Sequence, residues 1–366
     1  MRILVNSLSE DFGGVESLFF NLIHSKIMDD MQMDFTCSVS RSAREEDYIA
    51  LGAKVFHIKR PSKQFRQYIR GFTNIFSEGE YSIYHVNLTR YCFPLDIIIA
   101  KLYGVKVVLH CHSTQIYDFD NKMLKYIRKI EQILFKPIYL LCSDLNIACS
   151  VNAGKYLFKN QPCKIVHNGI ELERFYYNEK SRNSIRDEYS FANKKVIGHI
   201  GRFSSEKNHI FILRILRILV NIDDTFRLLC VGSGELFDRV VEMADAMGLK
   251  RFIVFTGQRN DIHNLLSAMD VFLLPSIHEA LPIVLIEAQA NGLPCIVSNS
   301  VTSEVDILNT VSRLSLDAPI SEWKNAIQES IGCREKIDDY TIFRDFDIVS
   351  MKQRLYSLYV DIINEK

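Results

Sequence analysis

Short runs of β-branched and aliphatic residues alternate along the chain with longer segments in which apolar residues recur every three to four positions. The short runs predict strands at 2–6, 34–39, 54–58, 83–86, 105–110 and 145–149. The longer segments predict amphipathic helices at 15–26, 44–51, 64–76, 95–103 and 122–141. Strands that are apolar on both faces need helices over both, so regular strand–helix alternation predicts an α/β fold with a parallel sheet. The pattern restarts at Lys195. Strands are then expected at 196–200, 226–231, 253–255, 271–274 and 294–298, and helices at 209–220, 235–246, 263–268 and 283–290. This predicts two Rossmann-like domains in tandem, one over 1–170 and one over 171–341. Between the two series, 170–192 is polar, charged and poor in β-branched residues, and reads as the linker region. Residues 342–366 read as a closing helix with no strand after it. No repeat shorter than a domain is present.

Length agrees with the pattern, since 366 residues is enough for two domains. With 48% hydrophobic and 24% charged residues, the chain has ample core and no compositional reason for disorder. No run approaches the ~20 apolar residues of a membrane span. Met1–Asn6 lacks the pattern of a signal peptide, so a cytoplasmic protein is expected. The nine cysteines are odd in number. Cys37, Cys149, Cys230 and Cys295 lie inside apolar runs, so they read as reduced core residues. Without a C-x-x-C pair, Cys111, Cys142 and Cys149 are not expected to hold metal. Charge adds one asymmetry. Residues 1–170 carry 21 Lys and Arg against 16 Asp and Glu, and the remainder carries 23 against 28. The first half is therefore suited to meet something anionic.

In open parallel sheets ligands bind at the carboxyl ends of strands, where loops enter helices. Three such loops stand out. "SLSEDFGGVES" (7–17) places Gly13 and Gly14 just before a helix, where main chain can approach a ligand and free N–H groups can meet an anion. "HIGRFSSEKNH" (199–209) puts Arg202 and Lys207 after a strand, a pair suited to a diphosphate. "VGSGEL" (231–236) is another close-approach turn, and could equally be a plain entry to a helix. None is the G-x-G-x-x-G of a dinucleotide site.

The segment "HEALPIVLIEAQANGLPCIVS" (278–298) carries Glu279 and Glu287 in an otherwise apolar run. Glu279 falls in the loop after the strand that ends in Leu273-Leu274-Pro275, and Pro282 marks a first helical turn. Glu287 then lies about one and a half turns inside, where a carboxylate is costly without a partner. Two acceptors flanking a helix N-terminus can hold two parts of a polyol, with a phosphate between them. A capping glutamate and a partly exposed helical one are the plainer alternative.

Taken together, these residues resemble the family-4 retaining glycosyltransferases, and the resemblance covers nearly the whole chain. It rests on Glu279–x7–Glu287 with "AQANGLPCIVS", on "FTGQRNDIHNLLSAMDVFLLPS" (255–276), "GRFSSEKN" (201–208), "VHNGI" (166–170) and "GGVES" (13–17). "EEDYIALGAKVFHI", "VVLHCHST" and "SNSVTSEVDI" are similar to the bacterial capsule, exopolysaccharide and O-antigen subgroup. The resemblance implies the GT-B fold: two Rossmann-like domains facing across a cleft, with the C-terminal helix crossing back to the first. It also implies roles. Arg202 and Lys207 would grip the donor diphosphate, Glu287 the nucleotide ribose and Glu279 the donor sugar. Main chain at Arg259, Asp261 and Ile262 would meet the base. Gly13, Gly14 and Gly232 would border the donor, as would the stretch Ala280, Leu281, Pro282 and Ile283. Ala280 departs from the glycine common there, with a modest steric cost to the sugar pocket. His112 would lie beside the transferred sugar, and His110, ending the same strand, is its rival.

The implied reaction moves a hexosyl group from a nucleoside diphosphate sugar, a UDP-sugar first of all, to a hydroxyl, with retained configuration. No carboxylate matches a nucleophile, so front-face attack is implied, with closure of the two domains over the donor. No D-x-D appears near a strand end and the cations Arg202 and Lys207 can replace a metal, so neither metal nor cofactor is expected. The acceptor implied is a polyprenyl-diphosphate-linked glycan. No nucleic-acid partner is expected. "NKMLKYIRKIEQILFKPIYLL" (121–141) sets Lys122, Lys125, Arg128, Lys129 and Lys136 among a broad apolar set, and Lys59, Arg60, Lys63, Arg66 and Arg70 form a second basic group. Both suit an anionic surface and predict peripheral attachment to the inner face of the membrane. Packing of that apolar face on the sheet is the plainer alternative. Two other functional classes compete: a catalytically silent nucleotide-sugar-binding subunit, and a nicotinamide-dependent oxidoreductase or epimerase. The last lacks both G-x-G-x-x-G and a helical Y-x-x-x-K.

Overall fold

The computed structural model describes residues 1–9, 13–25, 31–42, 44–114 and 122–365. The side chains of Ser7, Lys63, Lys122, Leu124 and Lys125 lie outside the described set, as do Glu10–Phe12 of the first glycine loop and Asn121 of the basic segment. The chain divides into two compact units, Met1–Ile170 with Phe346–Lys366, and Glu171–Asp345.

The N-terminal unit alternates β1 (Arg2–Leu8), α1 (Gly14–His24), β2 (Gln32–Cys37), α2 (Glu45–Ala50), β3 (Val55–His57), α3 (Pro61–Glu78), β4 (Ile83–Leu88), α4 (Leu95–Leu102), β5 (Lys106–Cys111), α5 (Lys122–Cys142), β6 (Leu145–Ala148), α6 (Val151–Leu157) and β7 (Lys164–Ile165). All its pairings are parallel, in the order β3-β2-β1-β4-β5-β6-β7. The C-terminal unit holds α7 (Glu179–Glu188), β8 (Lys195–Ile200), α8 (His209–Ile222), β9 (Phe226–Val231), α9 (Phe237–Ala246), β10 (Ile253–Gly257), α10 (Ile262–Ala268), β11 (Val271–Leu274), α11 (Ile283–Ala290), β12 (Cys295–Ser298), β13 (Val311–Leu314) and α12 (Ile320–Ser330). Its parallel sheet runs β10-β9-β8-β11-β12-β13. Both units are thus the parallel α/β sandwiches that the alternation predicts.

The last helix, α13 (Ile348–Asn364), belongs to the N-terminal unit. Ile348, Met351, Leu355, Tyr359 and Ile362 recur every three or four positions and lie in one core with Phe19 and Leu22 of α1 and Phe35 and Val108 of the sheet. Each such side chain stabilises the unit by about 1.5–3 kcal/mol. Main chain joins in: Ile170 N–H donates to the Phe346 carbonyl at 2.8 Å, and Ile348 N–H to the Ile170 carbonyl at 2.9 Å. A Cβ on Gly169 would come within 2.7 Å of the Ile348 Cα. The glycine of "VHNGI" is therefore required by this close backbone crossing.

The linker expected at 170–192 is not a linker. It contains α7, which begins at a cap in which the Asn178 side chain accepts from Ser181 N–H at 3.0 Å. Arg182 and Arg186 of α7 pair with Asp270 at 2.6 and 3.3 Å and donate to main-chain carbonyls of Ser267 and Ala268, where α10 ends. The polar composition that suggested a connector comes from this charged contact with a helix C-terminus. Four further elements, α6, β7, β13 and α12, fall where no element was expected. β7 has two residues and α6 seven, too short for periodicity to register. α12 is anchored by the fully buried Trp323, packed edge-on against Phe211.

Candidate active site

In the C-terminal sheet the strand order reverses at β8, which pairs with β9 on one side and β11 on the other. The loops leaving the carboxyl ends of β8 and β11 therefore diverge around a crevice. These are the loops 201–208 and 275–282 that carry Arg202, Lys207 and Glu279. Main chain ties them together. Ile277 N–H donates to the Glu206 carbonyl at 2.7 Å, and Asn208 Nδ2 donates to the Pro275 carbonyl at 3.2 Å. Across this join Lys207 Nζ donates to Glu279 Oε1 at 2.5 Å, and Ser276 Oγ donates to the same oxygen at 2.8 Å. Both charged side chains are largely buried, at 18% and 13% exposed. A Cβ on Gly201 would lie 3.1 Å from Cδ and Cε of Lys207, so the lysine stem rests flat on main chain and its ammonium is held in place. Arg202 is more exposed, at 61%, and pairs with Glu235 through Nε at 3.3 Å.

The Gly-Ser-Gly turn after β9 packs directly beneath these loops. Gly232 has φ +134°, and a Cβ there would meet the Gly201 carbonyl oxygen at 2.0 Å. Phe203 N–H donates to the Ser233 carbonyl at 2.8 Å, and Leu236 N–H donates to the Phe203 carbonyl at 2.9 Å. Glycine at 232 is thus needed by the protein's own backbone.

Glu287 lies in the second turn of α11, half-buried. Burial pushes its carboxyl up to about 7, and the Arg174 charge opposes the rise. Among the described contacts no side chain donates to this carboxylate, so it is an acceptor in need of donors. Leu281 and Pro282 are buried at the start of α11, and Ala280 and Ile283 are half-buried. In the loop before α10, Arg259 grips Asp261 with two bonds of 2.7 and 2.8 Å and reaches Glu188 and the Tyr189 hydroxyl of the α7 region at 2.9 and 2.8 Å. Its side chain fixes the loop, leaving main chain at Asp261 and Ile262 as the part that can meet a ligand. Arg174 was not singled out by sequence. It donates to the Asn260 carbonyl at 3.1 Å and to His263 Nδ1 at 3.3 Å. Only its place in space marks it, because nothing in "LERF" signals proximity to α10.

In the N-terminal sheet the order reverses at β1, between β2 and β4. Asn6 of β1 and Asn87 of β4 bond reciprocally, Asn87 N–H to Asn6 Oδ1 at 2.6 Å and Asn87 Nδ2 to the Asn6 carbonyl at 3.3 Å. With the Asn87 amide nitrogen so committed, its Oδ1 faces His112 Nε2 at 3.0 Å, which places the His112 proton on Nε2. His110 is fully buried and joins a chain of interior side chains: its Nδ1 is 3.2 Å from His85 Nε2, and His85 Nδ1 is 2.6 Å from the Tyr359 hydroxyl of α13. Burial lowers His85 and His112 to about 3, and His110 well below its ordinary value, so all three are neutral. Of the two rival histidines, His112 is the one half-exposed at the strand's carboxyl edge. The His85–Tyr359 link escaped sequence reasoning because its partners are 274 residues apart.

Gly13 caps α1. Its N–H meets Glu16 Oε2 at 3.1 Å, and Ser9 Oγ donates to Glu16 Oε1 at 2.6 Å. Gly13 and Gly14 are both exposed, and a Cβ on Gly14 would touch nothing. A Cβ on Gly13 would come within 3.0 Å of Glu16 Oε2, whereas at Gly14 no contact among the described residues calls for glycine.

The sequence matches the family Glycosyltransferase Family 4 over residues 12–174 and the family Glycosyl transferases group 1 over residues 181–340. EpsF of Bacillus subtilis, a protein given the name of a glycosyltransferase, is 33% identical over 326 residues, covering 86% of this chain and 84% of that protein. The Escherichia coli UDP-Gal:alpha-D-GlcNAc-diphosphoundecaprenol alpha-1,3-galactosyltransferase is 27% identical, covering 80% of this chain and 78% of that enzyme. Among solved structures, Anabaena HepE in complex with UDP and glucose superposes with a TM-score of 0.81 at 16% identity, over 99% of this chain and all of that one. At that identity the likeness speaks for the fold.

Proposed function

Because the chain belongs to the family-4 glycosyltransferases and has the GT-B fold, we propose that it is a retaining hexosyltransferase of surface polysaccharide synthesis. The donor is a nucleoside diphosphate sugar, a UDP-sugar first, and the acceptor a hydroxyl of a polyprenyl-diphosphate-linked glycan. The observation that carries this reading is the Lys207–Glu279 pair at the β8/β11 crevice. It sets an acceptor for sugar hydroxyls beside a cation for phosphate, the juxtaposition a sugar phosphate needs. UDP is favoured because HepE was crystallised with UDP and with UDP-glucose and the E. coli relative is named for UDP-Gal. The name of that relative's acceptor, a GlcNAc-diphosphoundecaprenol, supports a lipid-linked acceptor here.

In this mechanism the bond from the anomeric carbon to the diphosphate breaks and the acceptor oxygen attacks from the same face. The leaving diphosphate takes the acceptor proton. Lys207, Arg202 and the first turn of α11 stabilise the charge that develops on it, a task that requires no metal. Glu287 accepts the ribose hydroxyls, and main chain at Asp261 and Ile262 meets the base. The neutral His112 lies beside the transferred sugar. No cofactor takes part. The test is transfer from a panel of UDP-sugars to a lipid-linked GlcNAc acceptor, with the product's anomeric configuration read by NMR. Retention and full activity in EDTA are expected. Inversion, or activity lost in EDTA and restored by Mg²⁺ or Mn²⁺, would refute the reading.

Attachment to an anionic bilayer is part of the same proposal. Of the side chains described on α5, only Tyr139 is buried, while Met123, Tyr126, Ile127, Ile130, Ile133 and Leu134 are exposed beside Arg128 and Lys129. An exposed apolar face of this size needs a partner. Phe93 bridges it to α3, with ring centroids 5.7 Å from Phe135 and 6.2 Å from Phe65, so α3 and α5 meet at one surface. Among the described residues no helix is long and apolar enough to cross a membrane. Peripheral docking on the cytoplasmic leaflet fits these features, since each basic residue near such a surface contributes about 1 kcal/mol. Sedimentation with vesicles is expected to require anionic lipid, to weaken at least tenfold in high salt, and to fall when Lys125, Arg128 and Lys129 are changed to Gln. A protein that ignores anionic vesicles at low salt would refute the docking.

A further inference from the structure

A lipid-linked acceptor carries a diphosphate of its own, and we propose that the N-terminal unit holds it between the guanidinium groups of Arg90 and Arg128, which share the carboxylate of Glu131 in the free protein. This subsite rests on the lipid-linked acceptor read above. Arg90 lies in the loop leaving β4, at the carboxyl edge beside the β1/β4 reversal, where the fold opens its crevice. Arg128 and Glu131 lie one turn apart on α5.

The geometry is that of an incomplete anion site. Arg128 Nη1 donates to Glu131 Oε2 at 2.8 Å. Arg90 Nη1 faces the same oxygen from 3.6 Å, beyond hydrogen-bond reach, and has no other acceptor among the described residues. The three side chains are 28%, 24% and 28% exposed, so solvent compensates only in part. Both guanidinium groups turn to this one carboxylate oxygen, and the buried Arg90 donor is left unsatisfied. Here the carboxylate presents the same oxygen, Oε2, to both guanidinia and bonds only Arg128. A diphosphate, with more oxygens over a wider span, can engage both forks at once. Glu131 thus occupies the place of the anion and yields it. At the rim the Tyr156 hydroxyl accepts from Gln132 Nε2 at 3.4 Å, leaving its own proton to donate to a phosphate oxygen.

The surroundings select the source of the anion. Ile127, Ile130 and Leu134 of α5, spaced by three and four residues around Arg128 and Glu131, are exposed. A polyprenyl chain lying in the bilayer along that ridge would deliver its diphosphate to the adjoining arginines, and the attached sugar to the sheet edge where Arg90 originates. A phospholipid headgroup offers similar chemistry with a single phosphate diester.

The experiment uses the full chain in neutral detergent, free of anionic lipid. It compares kcat/KM for a sugar-diphosphate-lipid acceptor with that for the same sugar on an uncharged alkyl chain. Arg90→Gln should lower the ratio of the two at least tenfold, and Arg90→Lys should restore part of it. Glu131→Gln should leave the ratio unchanged or raise it severalfold, because the competing carboxylate is gone. The proposal is overturned if Arg90→Gln leaves the ratio unaltered. It is equally overturned if Glu131→Gln lowers the ratio as far as Arg90→Gln does, which would mark a purely structural ion pair. A third overturning result is loss of binding to anionic vesicles in Arg90→Gln with the ratio intact, which would assign these arginines to headgroups. Transfer by the wild type to neither acceptor would refute the underlying acceptor reading, and the subsite with it.

Discussion

Replacing Lys207 with alanine is expected to lower kcat/KM for the donor by about 10²–10³-fold, equivalent to about 3–4 kcal/mol of transition-state stabilisation. The ammonium is largely buried, held by its stem on Gly201, and 2.5 Å from Glu279. Before reaction Glu279 balances its charge. As the anomeric bond breaks, negative charge grows on the β-phosphate, and a cation already in position meets it without reorganisation. The loss should therefore fall more on kcat than on KM. Arg202→Ala should cost less, about tenfold, because Arg202 is 61% exposed and its pairing with Glu235 is screened by water. Initial rates of UDP release at saturating acceptor measure both. Rates within threefold of wild type for Lys207→Ala would remove the diphosphate from this crevice.

Glu287→Gln should do two opposite things: weaken binding of the nucleoside moiety about 30- to 100-fold and make the ligand-free protein more stable. Binding weakens because an ionised carboxylate accepting two ribose hydroxyls gains about 2–3 kcal/mol that an amide oxygen does not. Stability rises for the reason that lifts its carboxyl to about 7 from the ordinary 4.5. The folded state binds this proton more tightly than the unfolded chain does. Folding is therefore penalised progressively as pH rises from about 4.5 through 7, and fully above that. Allowing for its partial exposure, the penalty is on the order of 2 kcal/mol. At pH 8 the Gln variant should melt about 5 °C higher, a gain that fades below pH 5. Uridine, which has no titrating phosphate, is the suitable probe. Its affinity for the wild type should fall as pH drops below 7, and its weaker affinity for Glu287→Gln should be flat. Glu279→Ala makes the contrast, losing more affinity for the nucleotide sugar than for the bare nucleotide. Equal melting temperatures and equal uridine affinities in wild type and Glu287→Gln would dispose of both halves.

Much of this was legible in the chain. Two parallel sheets follow from runs of Val, Ile and Leu too short for helices, alternating with segments of helical period. The spacing of Glu279 and Glu287 about a proline already separates a loop carboxylate from a helical one. Where reading failed, the cause was local. Residues 170–192 looked like a connector because the partners of Arg182 and Arg186 are main-chain carbonyls 82–86 residues away, and carbonyls leave no signature in composition. The apolar face of α5 could not be assigned by pattern to the sheet or to solvent, since the same helical period serves either.

What the sequence by itself determined is the set of elements, the loops that carry chemistry and the family resemblance, because these depend on periodicity, turn chemistry and motif order along the chain. What only the tertiary structure decided is which of those groups meet. The reversal of strand order at β8 brings Lys207 to Glu279 across 72 residues. The β4–β5 register buries His110 against His85 and leaves His112 at the edge. Arg90 is brought to within 3.6 Å of the α5 carboxylate that Arg128 already holds. A carboxylate's pKa, a cation's strength and a histidine's tautomer are all set by neighbours within a few ångströms. Chain folding supplies those neighbours from positions whose separation in sequence carries no information about distance.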